Sequence, residues 1–118
     1  MKRKILVVDN NPVILQFMTS LLGKKGHQVK TAEDGLSALD ILMTYIPDVI
    51  FIDLVMPNIN GEQLCRIIKK MPELNDTYVV ILSATIAERS RDFSAMGADT
   101  FIAKASFEET PEMFIKAA

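Results

Sequence analysis

Hydrophobic residues along the chain fall into short continuous runs, separated by longer segments in which apolar and polar positions mix. Four runs are bounded by polar or turn residues: Lys4 to Val8, Asp48 to Asp53, Tyr78 to Leu82 and Thr100 to Ala103. Continuous runs of this length are typical of strands buried on both faces of a parallel sheet. A weaker run, His27 to Ala32, alternates and predicts an edge strand.

The segments between the runs carry apolar residues three and four positions apart, which is the spacing of one helix face. The stripes are Val13, Ile14, Phe17, Met18, Leu21 and Leu22; then Leu36, Leu39, Leu42, Met43 and Ile46; then Leu64, Ile67, Ile68 and Met71. We interpret their methionines as core side chains. Asn11 is expected to cap the first helix, Pro12 to begin it and Gly26 to end it. A fourth, less apolar helix is expected over 85–96.

Strand and helix alternate five times, which predicts an α/β protein with a three-layer, doubly wound (βα)5 fold around a five-stranded parallel sheet. The length of 118 residues suits a single domain over 1–118. The chain ends on "FIKAA" without a helix stop signal, so a segment cut from a longer protein stays an open alternative.

The composition and net charge limit the classes of partner that we expect the chain to bind. A net charge of -2 and a pI near 5.3 provide no basic field for nucleic acid, so no nucleic-acid partner is expected. The apolar run after the basic N-terminus is too short for a membrane span or a signal-peptide core, so no membrane contact is expected. Cys65 is the single cysteine and is interpreted as a structural thiol, which suits a reducing cytoplasm. The single histidine, His27, is interpreted as a surface residue.

Polar side chains stand at the carboxyl ends of four predicted strands: Asp9 with Asn10, then Asp53, Ser83 and Lys104. In doubly wound folds these strand ends meet at one edge of the sheet. Any one of them is explained as a turn or cap residue, but together they predict a phosphoryl site. Carboxylate and amide oxygens suit Mg²⁺, and a lysine and a hydroxyl suit phosphate oxygens.

These motifs closely resemble the receiver domains of two-component response regulators. The resemblance covers nearly the whole chain through "ILVVDN", "DLVMPNINGEQL", "VVILSAT" and "MGADTFIAK". It implies a flavodoxin-like sheet with strand order 2-1-3-4-5, as in chemotaxis response regulators. The implied partner is a histidine kinase or histidine phosphotransfer protein, and the implied activity is a phosphorylatable switch in a phosphorelay, not an enzyme on external substrates.

The resemblance also implies roles for individual residues. Asp53 would accept the phosphoryl group, while Asp9 and the backbone carbonyl of Val55 would help it to hold Mg²⁺. Lys104 and Ser83 would hold the phosphoryl group, and Phe101 would change rotamer with Ser83. The face that responds would comprise the fourth helix, fifth strand and fifth helix, to which an output domain or a second copy could bind.

Three positions depart from the family's pattern. Asn10 stands where a second metal-binding acid is usual, which predicts weakened Mg²⁺ binding, unless Asn10 only shapes the turn. Ala105 replaces the usual proline after the lysine, so a cis bond there is not expected. Pro111 favours a short fifth helix that begins near Thr110.

Other functions stay open. A degenerate receiver, acting as an interaction module without phosphorylation, is the main alternative. An aspartate-nucleophile phosphatase or phosphotransferase is less favoured, because "DNN" lacks the second acid of a D-x-D pair. A flavin-binding module lacks the required phosphate-cradling loop, since "NNP" stands in its place.

Overall fold

The computed structural model describes residues 2–83, 95 and 97–104. Their strands are β1 (Lys4–Val8), β2 (Gln28–Ala32), β3 (Val49–Asp53), β4 (Tyr78–Ser83) and β5 (Thr100–Ala103). All neighbouring strands pair in parallel, and their order is β2-β1-β3-β4-β5. The predicted α/β, flavodoxin-like fold and its strand order are therefore confirmed, with β2 at the edge as expected.

The described helices are α1 (Pro12–Lys24), α2 (Gly35–Leu42) and α3 (Gly61–Lys69), followed by a single 3₁₀ turn at Pro72–Leu74. Helix α1 begins and ends as the sequence predicts. Asn11 accepts a hydrogen bond from the Val13 N–H, Pro12 follows it, and Gly26 has a φ of 89° just beyond the helix. The predicted fourth helix, the bond to Ala105 and the segment around Pro111 lie outside the described residues.

Two apolar clusters pack on opposite faces of the sheet because successive strand residues point to opposite sides. On one face, α1 packs on Ile5, Val7 and Phe51. On the other, α2 and α3 pack on their strand neighbours, such as Leu6, Val8 and Ile52. Strand β3 is buried along its whole length, which explains why its apolar run is continuous.

The predicted stripe on α2 is wrong in part. The helix buries Gly35, Ala38 and Leu42, whereas Leu36 is 62% and Met43 78% exposed. The helix ends at Leu42, so the helical period does not extend to Ile46, which is 47% exposed, and Tyr45 takes the buried position instead. Met43 is thus not a core methionine, although Met18 is.

His27 is also not a surface residue. It is buried, and its Nδ1 accepts a hydrogen bond of 3.0 Å from the Arg3 N–H. The histidine follows the left-handed turn at Gly26, which directs the chain back towards the start of β1. In α1, Val13 is exposed and Leu15 is buried, so the inward face is turned relative to the prediction. Cys65 is buried, as expected for a structural thiol.

No helix in the described ranges is long and apolar enough to cross a membrane.

Candidate functional site

Asp9 is the first residue after β1 and is fully buried. Its N–H donates to the carbonyl oxygen of Ala32 at 3.1 Å, which extends the pairing with β2 by one residue. Its Oδ1 accepts a hydrogen bond of 2.9 Å from the Asn11 N–H, at the turn into α1. The start of α1 therefore fixes the Asp9 carboxylate.

Asp53 is the last residue of β3 and pairs with Leu82 of β4. It is 4% exposed, so its carboxylate is placed by a strand within the core rather than by a mobile loop. The pairing continues beyond it, because the Leu54 N–H donates to the Leu82 carbonyl at 3.0 Å. A backbone hydrogen bond from Val55 reaches the Asp53 carboxylate itself.

Lys104 brings the two carboxylates together. Its Nζ lies 3.0 Å from Asp9 Oδ2 and 3.1 Å from Asp53 Oδ1. The lysine follows β5, at the far side of the sheet from β1, and its side chain is 20% exposed. Three residues far apart in sequence thus form one charged cluster at the carboxyl edge, as their positions at strand ends predict.

The charges in this cluster are strongly coupled. Burial raises the pKa of Asp53, and the charge of Asp9 raises it further, while Lys104 opposes both effects. Burial lowers the pKa of Lys104, but hydrogen bonds to Asp9 and Asp53 and the charges of both carboxylates outweigh burial, so its pKa is raised overall. The site therefore favours a charged lysine and disfavours a second carboxylate charge.

The donor chemistry fits a hard cation. Asp9 Oδ2 is buried and, apart from its ion pair with Lys104, accepts no hydrogen bond within the described residues. A buried carboxylate oxygen whose described partner is a single ammonium group is also of the type that a metal cation binds. In the described part of the chain there is no cluster of three acidic, histidine or cysteine ligands. Two carboxylates with carbonyl, amide and water oxygens match the ligands that Mg²⁺ takes.

The other predicted residues differ in how deeply they are buried. Ser83 ends β4 and is fully buried. Phe101 is partly buried against the apolar cluster beneath α2 and α3. Asn10 is exposed beside the buried Asp9, and the Val55 side chain is 62% exposed, so Val55 can contribute only its backbone to the site.

Gly61 is a structural part of the site that the sequence reasoning missed. It begins α3, and its N–H donates to the Leu54 carbonyl at 2.9 Å. A Cβ on Gly61 would lie 2.7 Å from Leu54 Cα and would overlap the Asp53 carbonyl group. Only glycine allows α3 to start this close to the end of β3.

The start of α3 is fixed by a capping box that was also missed. The Asn60 side chain accepts from the Gln63 N–H at 2.8 Å, and Gln63 Oε1 accepts from the Asn60 N–H at 2.9 Å. The signal was present in the spacing of Asn60 and Gln63, which is that of a cap residue and its N3 partner.

Comparison with known proteins decides the family. The family model of the response regulator receiver domain matches residues 5–114. The chain belongs to this family of receiver domains. Relatives include the protein PilH of Pseudomonas aeruginosa, which is 34% identical over 91% of this chain and 89% of PilH. The response regulator MprA of a Mycobacterium species is 31% identical over 86% of this chain, but the match spans only 44% of MprA.

Solved structures match this receiver domain over almost its full length. The response regulator TrrA of Thermotoga maritima, solved in complex with Mg(2+)-BeF, superposes with a TM-score of 0.85 and 31% identity. That match covers 99% of this chain and 98% of TrrA. The chemotaxis protein CheY4 of Vibrio cholerae superposes with a TM-score of 0.83 and 28% identity, covering 99% of this chain and 96% of CheY4.

Proposed function

We propose that this receiver domain is a phosphorylatable switch in which Asp53 accepts a phosphoryl group from a histidine kinase or a histidine phosphotransfer protein. The observation that carries the proposal is the buried Asp53 carboxylate, fixed at a strand end and held within 3.1 Å of Lys104 Nζ beside Asp9. The whole protein would be either this domain alone or a longer regulator, since some relatives extend well beyond the matched region.

In the transfer step, an Asp53 carboxylate oxygen forms the new P–O bond while the P–N bond of the phosphohistidine breaks, and the donor histidine leaves. Lys104, whose Nζ lies 3.1 Å from Asp53 Oδ1, would stabilise the negative charge that develops on the phosphoryl oxygens. The Ser83 hydroxyl, at the end of β4, would donate to one of those oxygens. Asp9 keeps Lys104 charged, because its carboxylate raises the pKa of the lysine.

Mg²⁺ is proposed as the cofactor, held by Asp9, Asp53, the Val55 carbonyl and, more weakly, Asn10. When bound, it would neutralise negative charge on the phosphoryl oxygens. The proposal is supported by Asp9 Oδ2, which is buried and accepts no hydrogen bond within the described residues apart from its ion pair with Lys104. A related structure, that of TrrA, holds Mg(2+)-BeF, which supports the same assignment here.

Phosphorylation would add about two negative charges beside Lys104, and Ser83 would move towards them. Phe101, which is partly buried within β5 and pairs with Ile81, would change rotamer and alter the surface around β5. That surface, with the fourth and fifth helices, would bind an output domain or a second copy. The domain would act in the cytoplasm and would assist only its own phosphorylation and dephosphorylation.

The second candidate is a degenerate receiver. Asn10 leaves the site with one acid fewer than the family's pattern, and Lys104 already forms an ion pair with each of the two remaining carboxylates. A site of this kind could be stable without metal or phosphate and could serve only as an interaction module.

Intact-mass measurement after incubation with acetyl phosphate distinguishes the two. The switch requires a gain of one phosphoryl group in the presence of Mg²⁺ and no gain after its chelation or in Asp53→Ala. A folded wild-type chain that gains no mass under any condition would support the degenerate receiver instead. Continuous release of phosphate from varied small phosphate esters would contradict both and indicate an enzyme.

A further inference from the structure

Helix α2 and the segment directly after it carry apolar side chains that the fold leaves exposed. Leu36 is 62%, Met43 78% and Ile46 47% exposed, although the sequence pattern predicts them in the core. Leu36 and Met43 are seven residues apart, so they lie on the same side of the helix, two turns from each other. Exposed apolar residues that share one face of an element are typical of an interaction site.

A groove continues this surface beyond the end of α2. It has a volume of about 380 Å³ and lies between the end of the helix and the 3₁₀ turn. Its lining residues are Leu42, Met43, Thr44, Ile46, Met71 and Glu73. The α2 surface is defined here as this groove together with Leu36 and Asp40.

The α2 surface is acidic. Asp40 is exposed and lies four residues after Leu36 and three before Met43, so it lies on the same face as both. Glu73 lines the groove, and no basic residue does. The sequence contains no lysine or arginine from residue 31 to residue 65. Of the bases just outside that stretch, Arg66 is paired with Glu62 and Lys69 with Asp99. Lys30 lies over the Tyr45 ring, and Lys70 is exposed next to Met71 but does not line the groove.

A second copy of this chain is a poor occupant of the surface. A twofold contact brings the same surface of both copies together, so Asp40 and Glu73 of one copy would lie near the same acids of the other. Two like charges brought together in an apolar contact are unfavourable. An occupant of opposite charge avoids this conflict.

We infer that the α2 surface binds an amphipathic helix of a partner protein, whose apolar stripe contacts Leu36, Met43 and Ile46 and whose lysines or arginines pair with Asp40 and Glu73. Helices that lay an apolar face into such a groove are a common mode of recognition. The surface shares no residue with the Asp9, Asp53 and Lys104 cluster, so this inference does not rest on the proposed function.

The test uses two synthetic helical peptides of about 18 residues, long enough to form a helix on the surface. One carries a leucine stripe flanked by lysines, and the other carries the same stripe flanked by glutamates. Each is titrated into the full ¹⁵N-labelled chain, and amide chemical shifts are recorded. We expect the lysine peptide to shift amides of residues 35–46 and 71–74, and the glutamate peptide to bind at least about tenfold more weakly.

Variants identify the contacts. The double change Leu36→Gln and Met43→Gln should lower the affinity for the lysine peptide by about tenfold or more, because it removes the apolar anchors. Asp40→Lys should reverse the preference between the peptides. Val13→Gln is the matched control, because Val13 is 67% exposed but lies on α1, on the opposite face of the sheet. Asp53→Ala should bind as wild type does, which separates this inference from the proposed phosphorylation.

Equal binding of both peptides, or shifts located away from the α2 surface, would overturn the inference. It would also be overturned by sedimentation showing a wild-type dimer that the double variant abolishes, since a second copy would then occupy the surface. Circular dichroism of each variant establishes that any loss of binding comes from a folded chain.

Discussion

The surroundings of Asp53 disfavour the ionised form of its carboxyl group. Burial and the neighbouring Asp9 raise its pKa, and Lys104 compensates only in part. A carboxyl group whose pKa is higher in the folded state than in the unfolded chain reduces stability as it ionises. Folding therefore holds Asp53 in surroundings where its ionised form is less stable than in water. Carboxyl groups with pKa values perturbed in this way are common at functional sites.

Asp53→Asn should stabilise the domain. The amide has a similar shape but removes the buried charge, and Lys104 keeps its pairing with Asp9. We expect the free energy of unfolding to rise at pH 7, by on the order of 1 kcal/mol. The gain should disappear as pH falls to the unfolded-state pKa near 3.8, because wild-type Asp53 is then protonated and so is uncharged, like asparagine.

Urea denaturation of both forms between pH 4 and pH 8 measures this difference. A variant that is less stable than wild type at pH 7 would show that Lys104 more than compensates for the burial of Asp53.

Asn10→Asp should strengthen Mg²⁺ binding. A carboxylate at this exposed position beside Asp9 adds a negative charge and a harder oxygen ligand, so we expect about tenfold higher affinity. Mg²⁺ titration followed by amide chemical shifts gives the dissociation constants.

Asn11→Asp is the matched control. It adds the same charge one residue further along and can still cap α1. An equal gain in both variants would mean that residue 10 acts through general electrostatics, and no gain in Asn10→Asp would assign it to the turn alone.

At the scale of elements, the continuous apolar runs predict the strands closely, because strands buried on both faces cannot be polar on either side. The helix faces are predicted less well. In α2 only eight residues are helical, too few for periodicity to define which side is buried, and Tyr45 beyond the helix contributes to the core. The burial of His27 could not be predicted, because its partner is the backbone N–H of Arg3, which is 24 residues away in sequence and directly precedes the neighbouring strand β1.

The junction between β3 and α3 restricts the residue type at position 61, because the backbones of the two elements approach closely there. Gly61→Ala would place a methyl group against the backbone of Asp53 and Leu54, so α3 would have to move away from the strand end. We expect a loss of about 1–3 kcal/mol in the free energy of unfolding and a lower yield of phosphorylation, because the Asp53 backbone shifts with it.

Gly23→Ala is the control for Gly61→Ala, since a Cβ on Gly23 meets nothing within 4 Å and the residue is helical. Alanine there should leave stability unchanged or raise it by up to about 1 kcal/mol. Denaturation curves for the two variants compare them directly, and equal behaviour would contradict the packing argument at Gly61.

At the scale of the whole molecule, the parallel sheet brings the charged residues of the site together. Asp9, Asp53 and Lys104 follow or end strands β1, β3 and β5, and parallel pairing brings all three strand ends to the same edge. Their proximity could be predicted from the sequence because topology alone requires it. The bridging position of Lys104 between the two carboxylates could not be predicted, since it depends on side-chain conformations rather than on strand order.

The central claim is that this assembled edge makes Asp53 the phosphoacceptor. Borohydride reduction tests it most directly, because it converts an aspartyl phosphate to homoserine, which peptide mass spectrometry then locates. After incubation with acetyl phosphate, we expect homoserine at residue 53, dependent on Mg²⁺, and unmodified Asp9. Homoserine at Asp9 or at another acid, or none at all in a folded chain, would contradict it.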